Sequence, residues 1–195
     1  MKYFGFLFLL LPLLFSCNNG TSTNDDYNVC HLDTLHFPQP DYTIESGKFM
    51  KEIMDKYADL ENDPIVKDNA LQYIDKYFKS FVGQDFTFID EMPLCLDEVK
   101  KISGNQAEVL SVGILCKNEH TTDCFMLYLT VVFKIPQADI EKLKEADYFN
   151  ISGVLKRWDK TGKPYPFEFN SGSICLGTFE MDKVVIKKTI SDVLF

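Results

Sequence analysis

From Ser46 onward, apolar residues recur three and four positions apart: Phe49, Met50, Ile53, Met54, Tyr57 and Leu60. This spacing predicts an amphipathic helix over 46–60, with Ser46 as its N-cap. A second stripe, Val66, Ala70, Ile74, Tyr77 and Phe81, predicts a helix over 64–82. Asp63 followed by Pro64 supplies a capping residue and a proline at the first helical position, and Gly83 supplies the stop. Both stripes are wide enough to pack, so their aromatics read as core rather than as a ligand box.

After Gly83 the period changes from helical to extended. "DFTFID" alternates, and "CLDEVKKI" continues it after Pro93. A turn at Gly104-Asn105 precedes a strand over 107–116, "AEVLSVGILC", and "CFMLYLTVVF", 124–133, has the strongest strand composition in the chain. A short helix is expected in "PQADIEKLKEA", 136–146, where Ile140 and Leu143 stand among charges. Strands are expected again in "YFNISGVLKRW", 148–158, and "FEMDKVVIKKTI", 179–190. The element order is thus strand-strand-strand-helix-strand-strand, preceded by two helices.

That order, with "YFNISGVLKRW" as fourth strand and "DKVVIKK" as fifth, resembles an OB-fold. It is similar to the small OB-like domains of uncharacterised bacterial lipoproteins related to the anticodon-binding family. The resemblance covers roughly Phe81 to Ile190 and rests on hydrophobic pattern. It implies an α+β fold: a five-stranded OB-like Greek-key barrel, with ligands on the face of strands 2 and 3 and between the loops joining strands 1 to 2 and 4 to 5. Another α+β sheet with both helices on one face is the alternative.

The first 43 residues stand apart from this pattern. Lys2, the apolar run Tyr3 to Phe15 and the small residue Ser16 have the layout of an export signal, and the run is too short to cross a bilayer as a helix. Leu14-Phe15-Ser16-Cys17 resembles the bacterial lipobox, although Phe15 is larger than the residues usual there. The resemblance implies cleavage before Cys17, acylation of its thiol with a palmitate-type chain, and anchoring in a membrane. Residues 1–16 are therefore read as a lipoprotein signal peptide and 17–43 as a lipidated tether and extended linker. "NNGTSTNDDYN" is too polar to offset its ordering entropy, and Pro38 and Pro40 force extended backbone. Asn18 in place of the aspartate associated with inner-membrane retention implies the outer membrane, on either its periplasmic or its surface side. Residues 44–195 form one expected domain.

Composition supports a single core: the 195 residues are 46% hydrophobic and 14% aromatic. A formal net charge of −9 gives no long-range attraction for phosphate backbones and argues against nucleic acid. Against that background, "KRWDKTGKPYPFEF" concentrates Lys156, Arg157, Trp158, Lys163, Tyr165 and Phe167 in the connection between the last two strands, loop 156–169. Arginine and tryptophan stack on bases, sugars or peptide side chains, which makes this cluster the candidate binding site. The competing reading is a polar hairpin turn at "DKTG" whose aromatics cap the barrel end.

Five cysteines remain besides Cys17: Cys30, Cys95, Cys116, Cys124 and Cys175. In "CKNEHTTDC", Cys116 and Cys124 flank a polar loop between two expected strands, which suggests a cross-strand disulfide in an exported chain. A zinc site using His120 is the weaker alternative, because the spacing matches no finger pattern. No phosphate-binding glycine loop, zincin helix or nucleophile elbow is present in the sequence. No catalytic residue, metal ligand or cofactor is therefore assigned. The expectation is an envelope lipoprotein with a non-catalytic domain that binds a protein or another envelope component. A hydrolase of unrecognised type and a binder of single-stranded nucleic acid or oligosaccharide are the alternatives.

Overall fold

The computed structural model describes residues 40–60, 62–102, 104–116, 126–146, 148–161 and 173–190. Helix α1 spans Glu45–Lys56 and α2 spans Pro64–Lys79. Asp63 caps α2 as expected, its carboxylate accepting from the backbone N–H groups of Ile65 at 2.8 Å and Val66 at 3.4 Å. The cap of α1 differs from expectation. Ile44 holds that position with extended backbone and no side-chain bond, whereas Ser46 sits inside the first turn, buried, its hydroxyl without a partner. Both helices also stop earlier than their apolar stripes, at Lys56 and Lys79.

Five strands follow: β1 Leu94–Ile102, β2 Gln106–Cys116, β3 Met126–Pro136, β4 Tyr148–Asp159 and β5 Ser173–Ile190. A short helix, α3 Ile140–Lys144, joins β3 to β4 after a 3-10 turn over Gln137–Asp139. The fold is α+β, with three helices and one mixed sheet closed into a ring in the order β1-β2-β3-β5-β4. All neighbours are antiparallel except β3 and β5, which run parallel, and Leu94 opposite Phe149 joins β1 to β4. Asn105 and Gly104 make the β1–β2 turn with positive φ, as "GN" predicts.

"DFTFID" is not the strand its alternation suggests. Asp85 makes one isolated bridge to Val154, and Thr87–Ile89 forms a 3-10 turn. The reason is burial: Phe86, Phe88 and Ile89 are all closed to solvent, and adjacent residues 88 and 89 can share one interior only if the backbone coils. The last strand also begins earlier than expected, at Ser173 rather than Phe179.

One buried cluster runs through helices and ring alike, including Phe49 and Ile53 of α1, Phe78 of α2, and Phe133, Phe149 and Phe179 of the strands. Phe78 is the junction. Its ring lies 5.2 Å from Phe49, 5.0 Å from Phe88 and 4.9 Å from Phe179, centroid to centroid, with edge-on or tilted geometries that aromatic quadrupoles favour. The two N-terminal helices are thereby packed into the core of the ring.

Candidate functional site

Lys156, Arg157 and Trp158 lie in β4 rather than in a loop. The register of β4 on β5 slips between Leu155 and Arg157, so that Lys156 is the extra residue of a bulge while Arg157 opposes Glu180 and Trp158 opposes Phe179. The bulge lets two successive cations reach one carboxylate. Lys156 Nζ sits 2.7 Å from Glu180 Oε1, and Arg157 Nε sits 3.1 Å from Oε2. The hydrogen bond from Lys156, against a smaller opposing effect of burial, holds the Glu180 carboxyl below its ordinary range. The same bond raises Lys156. Of the expected cluster's basic residues, Lys156 and Arg157 are thus already paired with an internal acid.

Trp158 is anchored by a matching irregularity in β5. The pairing of β3 with β5 passes from Tyr128–Cys175 to Thr130–Thr178, which leaves Leu176 and Gly177 without register partners. Gly177 adopts φ +99, and a Cβ there would stand 2.3 Å from the carbonyl oxygen of Asp159. Only glycine lets the two strands approach so closely. The Leu176 carbonyl accepts the Trp158 indole N–H at 2.8 Å. The ring is half-buried, with its centroid 5.9 Å from that of Phe78.

Beyond Trp158 the strand ends in a turn held by Asp159, whose carboxylate accepts from the backbone N–H of Thr161 at 2.9 Å and its hydroxyl at 2.6 Å. These bonds keep the Asp159 carboxyl below its usual range. A cleft of about 660 Å³ opens here between α2 and the end of β4. One wall is helical: Asp68, Leu71, Gln72 and Asp75 recur at i, i+3, i+4 and i+7 and so share a face. The opposite wall is Trp158, Lys160 and Thr161, with Cys175 and Leu176 of β5 between. Leu71 is 39% exposed, a large apolar side chain open at the cleft. Asp75 Oδ2 pairs with Lys79 Nζ at 2.6 Å, while Asp75 Oδ1 is closed to solvent and has no hydrogen-bond partner among the described residues.

Cys175 lies beside Tyr128 on the neighbouring strand, and its thiol is free. Burial first, and then the Cys175 sulfur, push the Tyr128 hydroxyl up to about 12. Cys95 in β1 is buried. Cys116 closes β2 opposite Met126, but Cys124 and His120 lie outside the described residues, as do Lys163, Tyr165, Phe167 and Cys17. The expected disulfide and the lipid attachment point therefore fall on residues outside that description.

A smaller groove of about 170 Å³ lies on the outer face of the sheet, floored by Leu110, Thr130 and Val132 and rimmed by Glu98, Lys100 and Glu108. Sites for small molecules and side chains typically enclose about 300–1,000 Å³, so the α2–β4 cleft has the size of a ligand site and the outer groove does not. Sequence reasoning found one wall of that cleft through Trp158 and missed the other. The signal was the stripe 68-71-72-75, polar except for Leu71, which reads as an ordinary solvated helix face until its opposite wall is known. Comparison with protein families, characterised proteins and solved structures finds no match for this chain.

Proposed function

We propose that this protein is a lipid-anchored envelope protein whose single domain is a non-catalytic binding module, OB-like in topology, that takes a protein segment into the cleft between α2 and β4. The observation that carries the reading is the cleft itself: about 660 Å³, with an anchored tryptophan on one side and an open leucine on the other. Tryptophan is among the residues that most often dominate protein-recognition hot spots, and an open apolar side chain beside it adds surface for a partner to cover. The OB-like assignment is supported by the order β1-β2-β3-β5-β4, by parallel pairing of β3 with β5, and by α3 lying between β3 and β4. Membrane anchoring rests on the lipobox-like Leu14 to Cys17. Charge favours a protein over nucleic acid, because Lys156 and Arg157 are paired with Glu180 and the helical wall carries Asp68 and Asp75.

The test is crosslinking of the full-length protein in its native envelope, followed by identification of captured proteins by mass spectrometry, beside a Leu71→Glu variant. Leu71 is a better probe than Trp158, whose loss also removes the bond to Leu176. A partner captured by the natural chain and lost at least tenfold in Leu71→Glu is expected. Capture unchanged by Leu71→Glu, or a captured partner that is cleaved on incubation, would overturn the cleft or the non-catalytic reading respectively. For the anchor, intact mass of a Cys17→Ser chain should show no acyl group and an uncleaved N-terminus; a persistent acyl group would refute it.

A further inference from the structure

We infer that the α2–β4 cleft recognises a cationic side chain, an arginine or lysine of the bound polypeptide, with Asp75 as its acceptor and the Trp158 ring as its platform. This deepens the binding reading above and rests on it. Asp75 lines the cleft, yet only Oδ2 is engaged, by Lys79; Oδ1 accepts nothing among the described residues. A carboxylate oxygen withdrawn from water without a donor is an unmet demand. The terminal torsion of an aspartate is soft, so the carboxylate can turn Oδ1 into the cleft when a donor arrives, and Lys79, 64% exposed, can follow.

Three further features set the sign of the guest. Asp68 stands on the same helix face and adds a second negative charge to that wall. Trp158 lines the cleft, its N–H already donated to the Leu176 carbonyl, and indole faces attract ammonium and guanidinium groups. The whole chain carries −9, so a basic segment is drawn to it at long range. Lys160 on the far wall opposes this. It therefore selects for a guest whose charge reaches the helical side, where Asp68 and the unengaged Oδ1 of Asp75 lie and where Lys79, on Oδ2, must share that carboxylate with it.

The chain contains one tryptophan, so its indole N–H gives a single reporter resonance in an amide-correlation spectrum. The 15N-labelled full chain in detergent is titrated with N-acetyl-arginine methylamide and, separately, with its norleucine counterpart, which matches the aliphatic stem without the charge. The arginine probe should shift the indole resonance saturably, and the norleucine probe should need at least tenfold higher concentration. Asp75→Asn, nearly isosteric, should weaken the arginine probe at least tenfold, Asp68→Asn more mildly, and Lys160→Gln should strengthen it. Equal response to both probes would overturn the charge assignment while leaving the cleft a binding site. No saturable response to arginine, or an Asp75→Asn variant with an undisturbed spectrum and unchanged affinity, would overturn the inference outright. The Leu71→Glu capture experiment decides the broader reading independently of either result.

Discussion

The indole N–H of Trp158 donates to the backbone carbonyl of Leu176 at 2.8 Å, at the point where the register of β3 against β5 slips. The side chain is therefore held by a directed bond as well as by its contact with Phe78. Trp158→Phe keeps an aromatic ring but deletes the donor, together with part of the indole's packing area. Leaving the carbonyl without a partner should cost about 1–3 kcal/mol. Urea unfolding followed by far-ultraviolet circular dichroism measures it; an unchanged midpoint would mean that water replaces the indole at no cost.

Gly177 makes that bond reachable. With φ at +99 and the Asp159 carbonyl 2.3 Å from the position of a Cβ, alanine there is penalised twice, by backbone conformation and by contact. Gly177→Ala should destabilise by more than about 1 kcal/mol and move the indole resonance of Trp158, because the bulge must reshape. A stable variant with an unmoved resonance would contradict the account of the bulge.

The helices were legible in the sequence because their signals are local. Asp63-Pro64 caps α2 through bonds two and three residues away, and apolar stripes at 3.6 spacing need no knowledge of a partner. The last strand was legible only from Phe179 onward, since the bulge at Leu176–Gly177 interrupts the pattern of its first half. "DFTFID" misled because two phenylalanines two apart enter the core whether the backbone is extended or coiled. The site divides in the same way. Trp158 draws notice as a lone tryptophan, whereas Asp75 joins it only through the packing of α2 on the ring. The pairing of Lys156 and Arg157 with Glu180 depends on a bulge, which no spacing announces.

Phe78 shows what the helices contribute. It is fully buried and meets aromatic rings from α1, the 3-10 segment and β5, although its neighbours Tyr77 and Phe81 are the more prominent members of the helix stripe. Phe78→Ala should cost about 3–5 kcal/mol, a large part of the ~5–15 kcal/mol typical of a whole domain. Because that one ring joins helices to sheet, helical and aromatic circular dichroism signals should be lost together in one transition at lower denaturant. Helices melting first while the ring persists would show that the junction is not cooperative.

Glu180 makes the contact of Lys156 and Arg157 pH-dependent, and its direction is fixed. Its carboxyl is held below the ordinary value of 4.5, chiefly by the hydrogen bond from Lys156. The folded chain therefore binds that proton less readily than the unfolded chain does. The stabilisation is present above the ordinary glutamate range and is lost as pH falls through the depressed folded value. Lys156, raised above its ordinary 10.5, gives the mirror case: stabilisation present below that value and lost as pH rises through the raised one. Glu180→Gln should thus be less stable than the natural chain at neutral pH, and the gap should close in acid but only narrow in strong alkali, where Arg157 still keeps its charge. High salt should shrink the gap throughout, because Arg157 is 70% exposed and Lys156 51%. Urea midpoints from pH 3 to 11 measure it; a gap that stays constant across that range would mean that Glu180 contributes packing rather than charge.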